Sequence, residues 1–211
     1  MADSTDQINA VQRKIDDYPV AAGPGRSLVL RRGYDAAIDD LWDACTTPSR
    51  LSRWLAPVGG DLRVGGSFTV EGQATGTILR CEAPHLLKVT WEYEPDSVTE
   101  VELRLTENDT GGVVLELRHT SPAATVDELV RRLGPVGPVG IGGGWDVALA
   151  ALDRLLADPD FDPARWRDTP QVREFTVRSL QAWGAESQAV WGLGDEDVAK
   201  VVAFVQRLPP R

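Results

Sequence analysis

Leu86-Leu87-Lys88-Val89-Thr90-Trp91-Glu92-Tyr93-Glu94 alternates between apolar and polar residues from Leu87 to its end. Side chains along a strand alternate between two faces, so Leu87, Val89, Trp91 and Tyr93 share one face and Lys88, Thr90, Glu92 and Glu94 the other. The same alternation returns downstream. Val101, Leu103 and Leu105 oppose Glu100, Glu102 and Arg104, and Val113, Leu115, Leu117 and His119 oppose Val114, Glu116, Arg118 and Thr120. Three such segments in succession describe a sheet with one face covered and one in water.

Turn chemistry separates the segments. Ala83-Pro84-His85 divides residues 77–82 from 86–94, and Glu107-Asn108-Asp109-Thr110-Gly111 divides 98–106 from 112–120. Gly65-Gly66 between 61–64 and 67–71 is a two-residue hairpin signal. With a first strand over 28–34, the expectation is about seven strands, antiparallel because short hairpins join them.

Helical spacing supplies the cover. Ile38, Leu41 and Trp42 predict a helix over 36–44 capped by Asp35, and Thr47-Pro48 opens a second. Thr125-Val126-Asp127-Glu128 is a capping-box pattern for a helix to residue 133. The Gly/Pro-rich stretch 134–144 reads as a connection or a flexible gate. Trp145, Leu149, Leu152, Leu155 and Leu156 then form the apolar stripe of a long helix over 145–157, which must cover the sheet. The domain so outlined is 27–158, of class α+β. Residues 1–26 read as a flexible tail, with only a thin helical stripe of Ile8, Val11 and Ile15. Residues 159–211 read as a helical hairpin, one arm bearing Val172, Phe175, Ser179 and Trp183, the other Val198, Val201, Val202 and Val205. Two helices are too small for a core of their own, so they are expected to pack on the domain, to which the short connection 158–168 keeps them close, with a homodimer as the other possibility.

Composition removes several function classes. The chain has 211 residues and a formal net charge of -10, so a cationic surface for nucleic acid or anionic membrane is not expected. No apolar run approaches the ~20 residues of a membrane span. The acidic, polar start Met1-Ala2-Asp3-Ser4-Thr5-Asp6 is unlike a secretory signal, so a cytoplasmic location is the expectation. Two cysteines, Cys45 and Cys81, and two histidines, His85 and His119, match no zinc spacing; no metal and no cofactor are expected.

The order of these elements resembles the activator of heat-shock-protein-90 ATPase homologue-like family of the START/SRPBCC superfamily. The residues that carry the resemblance run from Val29 to Leu156. They include Thr47-Pro48-Ser49-Arg50-Leu51-Ser52-Arg53-Trp54, Asp61-Leu62-Arg63-Val64-Gly65-Gly66-Ser67-Phe68 and Gly76-Thr77-Ile78-Leu79. Pro84-His85-Leu86-Leu87, Leu115-Glu116-Leu117-Arg118-His119-Thr120 and Gly144-Trp145 complete the set. The resemblance implies a helix-grip fold, with a cavity between a concave sheet and the long helix. It also implies apolar small molecules such as lipids or polyketides as ligands, and in some members cyclase or related activity. Chaperone activation is not carried over, because residues 1–27 are too short for the additional N-terminal domain of the eukaryotic co-chaperones.

The expected site is the inner aromatic set Trp54, Phe68, Trp91, Tyr93 and Trp145, joined by Leu79, Leu103, Leu117, His119 and Leu149. His119 is the one ionisable residue that alternation puts on the inner face of the last strand. It is either a group satisfied at the strand end or an acid–base candidate. The reading is a binding protein for an apolar or aromatic small molecule rather than an enzyme. A cyclase, dehydratase or hydrolase using His119 is the alternative, and a protein-interaction module through the C-terminal hairpin is a third.

Overall fold

The alternating segments pair into one curved sheet in the computed structural model, which describes residues 4–93, 97–134, 136–192 and 194–206. Its strands are β1 (Val11–Asp17), β2 (Gly25–Tyr34), β3 (Val58–Gly60), β4 (Ser67–Val70), β5 (Ala74–Glu82), β6 (Leu86–Glu92), β7 (Val98–Glu107) and β8 (Val113–Pro122). They lie in the order β1-β2-β8-β7-β6-β5-β4-β3, each antiparallel to its neighbour. The helices are α1 (Ser4–Asn9), α2 (Ile38–Thr46), α3 (Pro48–Leu51), α4 (Ala123–Leu133), α5 (Val136–Ala157), α6 (Pro163–Arg167), α7 (Pro170–Trp191) and α8 (Asp195–Gln206). Leu30, Leu115 and Leu117 of the sheet and Leu149, Leu152 and Leu155 of α5 are buried in one core, as the helix-grip arrangement requires. Among the described residues no helix is long and apolar enough to cross a membrane. Glu94 and the side chain of Val205 lie outside the described residues.

Four expectations are corrected. Among the described residues the sheet has eight strands, because residues 11–17 form β1 instead of lying in a tail. Val11 and Ile15 are both buried. A spacing of four residues returns to the same face in a helix and in a strand, so that pair could not tell the periods apart. The strand expected over 61–64 is instead β3 at Val58–Gly60, and Leu62 and Val64 are exposed on the β3–β4 loop. Asp35 does not cap α2, which starts at Ile38 after Ala37. Finally, the long helix starts at Val136, through the Gly/Pro-rich stretch. Pro138 falls within its first turn, where proline is tolerated.

Packing explains why that stretch is helical despite its glycines. A Cβ on Gly142 would lie 2.5 Å from the Trp183 ring, and one on Gly143 would lie 2.9 Å from Leu180. The glycines thus let α7 approach α5 closely, and tertiary contact overrides weak helix propensity. Asp146, one turn on, is fully buried and ties three elements together. Its carboxylate accepts from Arg13 Nε and Nη2 of β1 at 2.9 Å each, from Ser179 Oγ and from Trp183 Nε1 of α7 at 2.9 Å. Removing one partner of such a pair strands a buried charge, at about 3–5 kcal/mol. A short helix unforeseen in the sequence, α6, is capped by the Asp162 carboxylate. Its Arg167 donates to the carbonyls of Trp54 and Leu55 at 2.7 and 3.2 Å, fastening the connection to the body.

Candidate functional site

The sheet, α2, α3 and the middle of α5 enclose a cavity of about 320 Å³. Alternation along β6, β7 and β8 aims Val89, Trp91, Val101, Leu103 and Leu117 at it. Phe68, Val70 and Ile78 come from β4 and β5, Cys45 and Leu51 from α2 and α3, and Trp145 from α5. Trp54 follows α3 and is held by its indole N–H, which donates to the Ala44 carbonyl at 2.9 Å. The aromatic rings form a chain, Phe68 to Trp91 at 6.4 Å and Trp91 to Trp145 at 5.3 Å between centroids. The lining is almost wholly apolar, and exposed Leu62 and Val64 rim the mouth. Cys45 is buried, and desolvation pushes its thiol up to about 12, so it is a neutral part of the wall. Cys81 is exposed and lines the same cavity.

His119 stands behind this cavity. Trp145 Nε1 donates to His119 Nδ1 at 2.9 Å, so the ring proton is on Nε2, which donates to Thr99 Oγ1 at 2.9 Å. The Thr99 hydroxyl in turn donates to the Trp91 carbonyl at 2.6 Å. The imidazole is 1% exposed, and desolvation lowers its pKa to about 4. It is therefore neutral near pH 7, with both nitrogens occupied by neighbouring side chains. That leaves no free position for a proton transfer to a ligand in this arrangement.

A second, smaller cavity of about 210 Å³ lies on the other side of the Trp145–His119 hydrogen bond. Tyr93, Thr99 and His119 line it, together with Leu28 of β2, Val126 and Leu129 of α4, Ile141 of α5 and Trp191 of α7. Tyr93 stacks on His119 at 6.0 Å with 11° between the planes.

Six of the ten expected site residues, Trp54, Phe68, Trp91, Leu103, Leu117 and Trp145, line the larger cavity. Tyr93 and His119 line the smaller one. Leu79 is a correction: it is 42% exposed, while Ile78 faces inward. In the apolar pair Ile78-Leu79 either residue could have been the inner one, and the β-bulge after Ile78 obscures the count further. Leu149 is also corrected. It is fully buried in the core, its carbonyl accepting from Tyr34 Oη at 3.0 Å, and it lines neither cavity. Val89 and Val101 were legible in the same alternation as their neighbours but lacked an aromatic ring to draw notice. Leu51 and Cys45, on short helices, and Leu55, in the turn after α3, carry no signal beyond being apolar.

The sequence matches the family described as "Activator of Hsp90 ATPase homolog 1-like protein" over residues 35–157. No curated protein matches it. Among solved structures, the crystal structure of CalU16 from Micromonospora echinospora is 35% identical, with a TM-score of 0.68, and the match covers 85% of this chain and 99% of that one. The solution structure of CalU16 gives 34% identity and a TM-score of 0.69, covering 85% and 96%. A conserved protein of unknown function, EF2215 from Enterococcus faecalis, shares the fold at 14% identity and a TM-score of 0.59, covering 87% of this chain and 95% of that one. Coverage of 85% exceeds what residues 35–157 account for, so the likeness to CalU16 extends beyond the family segment.

Proposed function

The chain belongs to the Activator of Hsp90 ATPase homolog 1-like family, and we propose that it binds an apolar small molecule in the larger cavity. One observation carries this reading: about 320 Å³ of space walled by aliphatic and aromatic side chains between sheet and helix. That volume falls at the lower end of the range for small-molecule sites, and the lining has their usual apolar character. The ligand is aromatic or lipid-like, since Trp54, Phe68, Trp91 and Trp145 offer ring faces and few polar groups. An acid–base role for His119 draws no support from its geometry, because Trp145 and Thr99 occupy both nitrogens.

Intrinsic fluorescence tests the proposal. Titration with a flavonoid or a medium-chain fatty acid should change tryptophan emission saturably, and Trp145→Phe should remove much of that change. A saturable signal that is the same in the Trp145→Phe protein would move the ligand out of this cavity. No saturable signal with either class would reject the reading.

A further inference from the structure

The smaller cavity has a lining distinct from that of the larger one, and three observations define what would fit it. The first is separation. The boundary runs across three strands, between Trp91 and Tyr93, between Thr99 and Val101, and between Leu117 and His119. The Trp145–His119–Thr99–Trp91 hydrogen-bond chain lies along it and is buried, so the wall is fixed by bonds as well as by packing. Each chamber has its own exposed apolar rim. Leu62 and Val64 border the larger, whereas Tyr93 and Val98, 44% and 46% exposed, border the smaller.

The second observation is size and shape. About 210 Å³ is space for one substituted ring, since a cavity of about 150 Å³ already takes benzene. Tyr93, His119 and Trp191 supply aromatic surface for stacking. The third is polarity. Ser97, Ser121 and Thr125 add hydroxyl groups to the wall. Its cation, Arg26, is engaged by Asp17 and by Asp127 at 3.3 Å, so a ligand carboxylate would compete with two carboxylates already in place. His119 brings no charge to the site near neutral pH. A neutral ring with a hydroxyl group meets all of this, and an anionic ring does not.

We infer that this chamber, bounded by Tyr93, Thr99, His119, Leu129, Ile141 and Trp191, binds a neutral, single-ring phenol-like compound separately from the ligand of the larger cavity. The inference stands whether or not the larger cavity is occupied. The probe is 4-fluorophenol, followed by fluorine NMR on the full chain, with 4-fluorobenzoate as its anionic counterpart. Saturable binding of the phenol is expected, at least about tenfold tighter than that of the benzoate. Ile141→Phe and Leu129→Phe, which fill the chamber from α5 and α4, should each weaken the phenol at least about tenfold. Leu103→Trp, which fills only the larger cavity, should leave it unchanged. Circular dichroism identifies any variant that fails to fold, and the Leu129 and Ile141 variants stand in for one another. Loss of binding in Leu103→Trp but not in the chamber-filling variants would overturn the inference. So would equal binding of benzoate and phenol, or no saturable binding of the phenol at all.

Discussion

Wedged between the stacked Tyr93 ring and the edge of Trp145, His119 shows how one residue joins core and site. The sequence made it legible as an inward-facing histidine, through alternation along β8. It did not reveal the partners, because Thr99 and Trp145 are distant in the chain and meet only once β7 and α5 are in place. The imidazole titrates near 4 in the folded protein against about 6.5 in an unfolded chain. As pH falls, the unfolded chain therefore takes up the proton first. The stability that neutral His119 contributes is complete above about pH 6.5 and drains away as pH approaches 4, at up to about 1.4 kcal/mol per pH unit. His119→Gln should lower stability at pH 7 by about 1–3 kcal/mol, since Trp145 or Thr99 loses a buried partner. Its stability should also depend less on pH between 4 and 6.5 than that of the wild type. Urea unfolding at several pH values measures both effects. Parallel pH profiles for the two proteins would show that His119 does not carry this term.

Among the elements, alternation identified β6, β7 and β8 through the buried side of each, Val89 and Trp91, Val101 and Leu103, and Leu115 and Leu117, but it put Glu100 and Glu102 in water and both are buried. It failed for β1, where a four-residue spacing fits two periods, and for the first half of α5, where glycine hid a helix. The helix there exists because of α7, and no local signal announces a partner some forty residues away. Two substitutions in α5 separate propensity from packing. Gly140 has open space around it, so Gly140→Ala should stabilise the protein by about 0.5–1 kcal/mol through helix propensity alone. Gly142→Ala gains the same propensity but drives a methyl group into the Trp183 ring, which is itself fully buried. Overpacking of this kind costs about 1–3 kcal/mol, so the net effect should be destabilising. Thermal denaturation gives the sign of each change. If Gly142→Ala were as stabilising as Gly140→Ala, the close approach of α7 to α5 would be wrong.

At the scale of the molecule, the C-terminal helices complete the body. Trp183 and Ser179 bond the same carboxylate that holds Arg13 of the edge strand, and Trp191 walls the smaller chamber. The apolar stripes on residues 159–211 announced that these helices must be covered, but a stripe does not say by what. The same holds for the cavity. Alternation and a family resemblance named most of its aromatic wall, yet whether those rings fill the space or leave a void depends on packing that no single segment encodes. A titration with N-phenyl-1-naphthylamine, a neutral apolar fluorophore, tests whether the void takes a ligand. The wild type should bind it saturably at one site per chain. Leu103→Trp, which fills the larger cavity, should weaken binding at least about tenfold while circular dichroism stays the same. Binding of equal strength in a folded Leu103→Trp protein, or no saturable binding to the wild type, would mean that this cavity is not a ligand site.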